Sequence, residues 1–367
     1  MHPLVRVGAI VLGALVLLLL PAPQASAHVR ATTGYGELSP SDSGADLVLS
    51  LEYELLARAV GMGTEAIDAP DDAARAEALG AHVGPLTTYL DDRLTLSVDG
   101  IACEPALEST GMEGRQGVPY ARLVLAFACP GSATGEYTFE YGVFRATDGV
   151  VDDHTLLLEY VLNGESGRTV LDGAHPSMTT GEQSLVGSAA RFTSLGVHHI
   201  LNGLDHILFV VVLLLGARTI RDVFAVASVF TLAHSVTLGM ALLGWIELPA
   251  AIVEPLIALS IVYVALDNIV GEPSRSRLVA VFGFGLLHGL GFAGALRVTD
   301  ELSWSWIGSL LSFNIGIEIG QALLILLVFP VLVLIRRLRW SVFALVGATS
   351  FVALLGLFWF FERITVT

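Results

Sequence analysis

The chain has 367 residues, of which 54% are hydrophobic and only 15% are charged, and its formal net charge is −16. So apolar a composition is not that of a soluble enzyme or a disordered protein, and the negative charge disfavours binding to nucleic acid. All 19 basic residues are Arg, which excludes a lysine nucleophile and a phosphate-loop lysine.

The charge is distributed unevenly along the chain. Residues 28–190 contain 25 acidic residues and 8 Arg, a net charge of −17, whereas residues 191–367 contain 10 of each. This shift in composition predicts an acidic, polar domain over 28–190 and a neutral, apolar domain over 191–367.

Residues 1–27 have the pattern of a secretory signal peptide. Arg6 precedes an apolar segment from Val7 to Leu20, and the small residues at 25–27 match a cleavage site. An uncleaved membrane helix is the alternative. Cleavage would place His28 at the start of an exported domain.

Residues 28–190 show the alternation that is typical of half-buried strands. Apolar side chains take every second position from Leu47 to Leu55 and from Tyr137 to Val143. We therefore predict an exported antiparallel β-sandwich-like domain. Further strands are predicted at residues 94–98, 123–128 and 156–162.

Two other features of this domain follow from local signals. A helix is predicted from Pro70 to Leu79, because a proline and two aspartates open it and Gly80 follows it. Cys103 and Cys129 each lie at the end of a predicted strand. Export to an oxidising compartment predicts a disulfide between them, with two free thiols as the alternative.

The C-terminal domain contains six apolar segments of membrane-spanning length, which predict a six-helix transmembrane bundle. Arg residues follow the first, third and fifth segments and assign those loops to the cytoplasm. The exported domain and the C-terminus then lie on the extracytoplasmic side. The sixth segment has no ionisable residue from Val342 to Phe361, so it is either structural or a contact between copies in a homo-oligomer. The segments lie near residues 195–217, 222–244, 249–270, 278–296, 306–335 and 341–361.

Ionisable side chains inside these segments are the candidate functional residues, because a bilayer accepts them only when they are paired or ligating. At a rise of roughly 1.5 Å per residue they lie about 6–18 Å from the outer ends of five helices. The candidate metal ligands are His199, Asp205, His206, His234, Glu254, His288 and Glu318. Supporting polar residues are His198, Asn202, Asn314 and Gln321.

Imidazole and carboxylate ligands together suit nickel, cobalt, zinc or copper, and suit calcium or magnesium less. A polar network that only joins the helices is the alternative. We weigh three functions: transport of a transition metal, an intramembrane zinc-dependent hydrolase with Glu254 as base, and a membrane-anchored metal-binding or sensing protein. Transport is favoured, and whether the chain is an enzyme stays open.

Two motif-like strings are assigned to helix packing. Residues 289–294 match G-x-G-x-x-G, but no strand precedes them, so we predict no nucleotide binding. The spacing of Gly285 and Gly289 instead favours close approach of two helices. Ser235, next to His234, is interpreted as a packing residue rather than a nucleophile.

Five segments of the C-terminal domain resemble, in order, the motifs of the HupE/UreJ-like membrane proteins. The first is Gly196-Val-His-His-Ile-Leu-Asn-Gly-Leu-Asp-His-Ile-Leu-Phe209, and the resemblance is specific because all five occur in order. The resemblance implies a multi-pass protein of a bacterial cytoplasmic membrane that carries nickel or cobalt. The other segments are 230–238, 254–268, 284–293 and 313–321, and the exported domain fits through 99–103, 127–130 and 152–154.

The exported domain contains a candidate for a second metal site. An N-terminal His28 together with Asp152 and His154 resembles the copper site of CopC-type periplasmic domains. His82 and His175 are further candidates. The alternative is an accidental N-terminal histidine beside a surface loop.

Overall fold

A computed structural model describes residues 31–115, 117–130, 135–151, 153–181, 185–217, 219–243, 245–246, 248–270, 275–292 and 304–365. The predicted signal peptide, His28, Asp152 and the end of the fourth predicted span fall outside these residues. The described chain forms two compact units. One holds residues 31–192 with 304–310, and the other holds 193–292 with 311–365.

The first unit is rich in sheet. Its strands are β1 (Ala31–Ser41), β2 (Gly44–Glu52), β3 (Leu94–Val98), β4 (Ile101–Ala102), β5 (Glu104–Arg115), β6 (Val118–Ala128), β7 (Tyr137–Tyr141), β8 (Asp153–Leu162), β9 (Glu165–Leu171) and β10 (Ser177–Thr179). A six-stranded sheet has the order β5-β6-β2-β1-β8-β9, and a four-stranded sheet has the order β10-β7-β3-β4.

The two sheets share one hydrophobic core. Leu47, Leu49 and Leu51 are fully buried on one face of β2, as their alternation predicts. They belong to the same buried cluster as Leu96 of β3 and Phe139 of β7. The predicted disulfide between Cys103 and Cys129 is present at the edge of this core.

The strand pairing differs from the predicted antiparallel arrangement at one place. β1 and β8 run parallel, with Ala31 opposite Asp153 and Leu38 opposite Tyr160. The sheet is therefore mixed. Alternation along a strand reports which face is buried but not the direction of the neighbouring strand, so the sequence pattern did not distinguish the two arrangements.

Four helices, of which one lies where it was predicted, connect β2 to β3. They are α1 (Tyr53–Ala59), α2 (Thr64–Ile67), α3 (Asp72–Ala81) and α4 (Val83–Asp91). The Asp71 side chain caps α3 by accepting from Ala74 N at 2.9 Å. The helix runs two residues beyond Leu79, with Gly80 inside its last turn.

The predicted extension of β2 to Leu55 is wrong. β2 ends at Glu52, and α1 buries Tyr53, Leu55 and Leu56 instead. Three apolar residues at these positions fit the inward face of a helix as well as they fit a strand. The hydroxyl of Tyr53 donates to Ala66 O at 2.6 Å and ties α1 to α2.

The second half of the chain is helical. Its helices are α5 (Leu185–Asn202), α6 (Leu204–Gly216), α7 (Ile220–Leu242), α8 (Ala250–Val270), α9 (Arg275–Phe292), α10 (Trp304–Arg336) and α11 (Ser341–Thr365). Among the described residues, α7, α8, α10 and α11 are each long and apolar enough to cross a membrane. The apolar stretch of α9, Arg277–Gly291, is shorter.

The first predicted span is not one straight helix. α5 and α6 meet at Gly203 with a bend of 70°, and only the pair together reaches membrane-spanning length. The described residues thus contain four candidate spans, or five if the bent pair is counted as one.

The short helix α6 lies at the centre of the helical unit. Phe209 and Leu213 pack into a buried cluster with side chains of α7, α8, α9 and α11. Val210 and Leu214 pack into a second cluster with side chains of α7 and α10. The second half of α6 is therefore enclosed by the longer helices.

Candidate metal site in the helical region

Four histidines from four helices meet in the helical unit. His206 of α6 has its ring centroid 4.5 Å from that of His199 on α5 and 5.3 Å from that of His288 on α9. His234 of α7 lies 6.1 Å from His199 and 6.3 Å from His206. We call these four residues the histidine cluster.

The break at Gly203 brings two of these histidines together. In a straight helix, positions seven residues apart are separated by roughly 10 Å along the axis. The 70° bend between α5 and α6 closes the distance between the rings of His199 and His206 to 4.5 Å. Gly203 is required here, because an added Cβ would lie 2.7 Å from both His199 O and His206 Nδ1.

Glycines of α9 bring this helix close to α7, which carries His234. A Cβ at Gly285 or at Gly289 would collide with backbone carbonyls of α7, at Phe230 and at His234. Thr237 of α7 donates to Leu286 O at 2.8 Å across the same contact. The predicted role of these glycines in helix approach is thus confirmed, and the close contact places His288 beside α7.

The hydrogen bonds of the cluster leave ring nitrogens available. His288 Nδ1 lies 2.8 Å from Phe284 O; a carbonyl only accepts, so Nδ1 carries the proton and Nε2 of the neutral ring carries a lone pair. Nε2 of His206 and both ring nitrogens of His234 are buried with no hydrogen-bond partner among the described residues. Buried nitrogens without partners are costly unless something binds them.

The cluster is not a formed coordination shell. Two imidazoles on one ion, with bonds of about 2.0–2.1 Å, have ring centres roughly 5 Å apart. The observed 4.5–6.3 Å fits this spacing. Among the described residues, however, no group of three or more His, Cys, Asp or Glu side chains is arranged as a metal-ion site.

Two of the three carboxylate candidates are held by Arg363. Asp205 Oδ2 accepts from Arg363 Nη2 at 2.9 Å, and Glu254 Oε2 lies 3.8 Å from Arg363 Nε. The side chain of Glu254 is 54% exposed. The side chain of Glu318 has no hydrogen-bond or ion-pair partner among the described residues.

Two of the four supporting residues contact α7 on either side of His234. Asn314 Oδ1 accepts from Ser235 Oγ at 2.7 Å, and Gln321 Oε1 accepts from Thr231 Oγ1 at 3.1 Å. These bonds fix α10 against α7 and fit the packing role predicted for Ser235. His198 and Asn202 are exposed on α5.

Of His28, Asp152 and His154, the residues of the second candidate site, the structure describes only His154. His28 and Asp152 lie outside the described residues, and His154 is buried, stacked on Tyr141 and hydrogen-bonded through Nε2 to the Tyr141 hydroxyl at 2.6 Å. Burial lowers the pKa of His154 to about 3. His82 contacts Ala78 O, and His175 lies beside Asp172.

Burial of neutral His154 predicts a loss of stability in acid. The unfolded chain takes up a proton near pH 6.5 whereas the folded chain does so near pH 3, so stability falls as the pH drops below 6.5. We expect this group to lower the free energy of unfolding by about 2 kcal/mol between pH 7 and 5.

Hydrogen exchange of β8 peptides in the full chain, corrected for intrinsic rates, measures this loss of stability. His154→Gln should flatten this dependence and His175→Gln should leave it intact; an unchanged slope in His154→Gln would contradict the assignment.

Four residues at the two ends of α6 have contacts that were not predicted from the sequence. Arg363 holds Asp205 near the first turn of α6. At the other end, Asn268 donates to Val212 O, Arg277 to Leu213 O and Arg336 to Leu214 O and Leu215 O. These donors satisfy carbonyls that a helix end leaves free. The Asn202-Gly203 pair was the available signal for a break, since that dipeptide favours turns.

Comparison with known proteins supports the helical half of this description. A protein-family model described as HupE / UreJ protein matches residues 176–363. No curated protein matches the chain. The match and the four apolar helices together identify a multi-pass membrane protein.

Proposed function

The chain belongs to the HupE/UreJ family, and from this premise we propose that it carries a transition-metal cation, nickel or cobalt, across a membrane through the histidine cluster. The family suggests a role in supplying or moving these metals. The cation is the cargo of this site, so the site must bind it and release it.

The observation that carries the proposal is the convergence of four imidazoles inside one bundle. His199, His206, His234 and His288 come from four helices and lie within 4.5–6.3 Å of their neighbours. Neutral imidazole suits nickel, cobalt, copper and zinc, and it does not suit calcium or magnesium. The partnerless nitrogens of His206, His234 and His288 give the cluster capacity for such an ion.

A loose cluster suits transport better than a closed site does. Conduction requires binding that is strong enough to take the ion and weak enough to give it up. Broken helices inside membranes often carry such sites, because their ends present backbone dipoles to the ion. His199 lies in the last turn of α5, where the helix dipole favours a cation.

We place the bundle in the membrane with six crossings, counting the bent α5–α6 pair as the first and α9 as the fourth. Arg277 and Arg336 meet at the C-terminal end of α6, which supports a cytoplasmic position for that end. The first turn of α6 then lies in the extracytoplasmic half of the membrane. This turn contains Asp205, which is paired with Arg363 of α11. Residues 28–190 would lie outside, where an oxidising compartment maintains the Cys103–Cys129 disulfide.

The hydrolase alternative has weaker support. It needs Glu254 as a base beside a zinc ion, and Glu254 is engaged by Arg363, whose Nη1 donates to its backbone carbonyl at 3.1 Å. A protein that only senses metal would need one anchoring helix, and it would gain nothing from four histidines on four helices.

Uptake into vesicles tests the proposal. The purified full chain is reconstituted with a metal-sensitive dye inside, and nickel or cobalt is added outside. We expect metal uptake above that of protein-free vesicles. His234→Ala should reduce this uptake about tenfold or more. His82→Ala changes a residue of the sheet-rich unit and should leave the uptake unchanged. Equal uptake by the wild-type chain and His234→Ala, or none above the protein-free vesicles, would overturn the proposal.

A further inference from the structure

A guanidinium group occupies the place where Asp205 and Glu254 come together. Arg363 Nη2 donates to Asp205 Oδ2 at 2.9 Å, Arg363 Nη1 donates to Glu254 O at 3.1 Å, and Nε lies 3.8 Å from Glu254 Oε2. The Trp359 ring centre lies 5.6 Å from the guanidinium carbon. One fixed cation therefore holds two carboxylates that the sequence predicted as metal ligands.

Asp205 retains binding capacity despite this contact. Its Oδ1 atom is buried and accepts no hydrogen bond from the described residues. A buried carboxylate oxygen without a donor is costly, so it favours the approach of a further cation. Asp205 is also the residue before His206, whose ring lies in the histidine cluster.

We infer that Arg363 takes the place of the cargo cation at Asp205 while the site is empty, and that it releases Asp205 when a divalent metal enters. This inference rests on the proposed function. The physical reason is repulsion: a guanidinium and a divalent ion on the same carboxylate lie a few ångströms apart in a medium of low dielectric constant.

This exchange would keep the site from binding too tightly. With no metal bound, the aspartate at the break between α5 and α6 is neutralised by Arg363 rather than left as a bare buried charge. With metal bound, the displaced Arg363 competes for the same carboxylate and favours release. Arg363 is in this account a residue that sets affinity, and it is not itself a ligand.

Nickel binding to the purified full chain tests the inference. We expect Arg363→Gln to bind Ni²⁺ about tenfold more tightly or better, which is the size expected for removing one charged hydrogen-bond competitor. Arg363→Lys keeps the charge and should stay within about threefold of the wild type. In an Asp205→Asn background, Arg363→Gln should give no gain. Arg339→Gln removes the same charge from an exposed site beyond α10 and is the matched control.

Equal or weaker binding by a folded Arg363→Gln variant would overturn the inference, because Arg363 would then only position Asp205. If that variant does not fold, the wild-type chain decides: Ni²⁺ should speed amide exchange in residues 359–365, and unchanged or slower exchange would contradict release of Arg363. If the His206/His234/His288 alanine variant loses nickel binding but Arg363→Gln does not bind nickel more tightly, this inference fails and the proposed function stands. Unchanged binding in the histidine variant defeats the proposed function.

Discussion

Replacing His206, His234 and His288 together with alanine is expected to weaken nickel binding by roughly 100-fold or more, equivalent to about 2.7 kcal/mol. The variant removes the three rings that carry partnerless buried nitrogens. It leaves Asp205 and Glu254 with Arg363, and hard carboxylate oxygens are poor substitutes for imidazole around nickel. Equilibrium dialysis of the detergent-solubilised full chain measures the change.

The matched control for this variant is His82→Ala with His175→Ala, which removes two histidines from the sheet-rich unit. It should bind nickel as the wild type does. If the control loses binding and the cluster variant keeps it, the metal lies in the sheet-rich unit, and the assignment of the site to the helices is wrong.

Replacing Gly289 with alanine is expected to cost up to about 3 kcal/mol of stability and to weaken metal binding without touching a ligand. The new Cβ would collide with His234 O and with Thr237 Oγ1. Both atoms belong to α7, so α7 and α9 would have to separate. That movement would pull His234 away from His288 and His206.

Gly283 provides the control on the same helix. A Cβ at Gly283 meets no described atom within 4 Å, so Gly283→Ala should be neutral or stabilising by up to about 1 kcal/mol through helix propensity. Thermal unfolding followed by circular dichroism, with nickel binding measured in parallel, separates the two variants. Equal behaviour of the two would show that the close contact between α7 and α9 does not position the cluster.

The periodic parts of the fold were predictable because each depends on one local pattern. The alternation at Leu47, Leu49 and Leu51 identified the buried face of β2, and continuous apolar runs identified α7, α8, α10 and α11. The disulfide followed from the export signal and from two cysteines at strand ends. The spacing of Gly285 and Gly289 indicated that their helix approaches a neighbouring helix closely.

The differences arise where distant residues decide the structure. The parallel pairing of β1 with β8 joins residues more than 100 positions apart. The ion pair between Arg363 and Asp205 spans 158 positions. The local pattern around β1 predicts a strand, and the local pattern around Arg363 predicts the end of a helix. Neither pattern contains information on the distant partner, β8 in the first case and Asp205 in the second.

The candidate site was predicted in part. The four histidines were selected because ionisable groups inside apolar helices need a partner, and they do lie together. Asp205 and Glu254 met the same criterion, but both are paired with Arg363. Estimates of depth along a straight helix do not specify which way a side chain points, and the bend at Gly203 changed the geometry that those estimates assumed.

The most direct test of the central claim is the X-ray absorption spectrum of the full chain loaded with one equivalent of nickel. We expect a first shell of nitrogen and oxygen with the multiple-scattering pattern of at least two imidazoles, and we expect this pattern to be lost in the His206/His234/His288 alanine variant. A shell of oxygen alone, or an imidazole pattern that persists in that variant, would contradict metal binding at the histidine cluster.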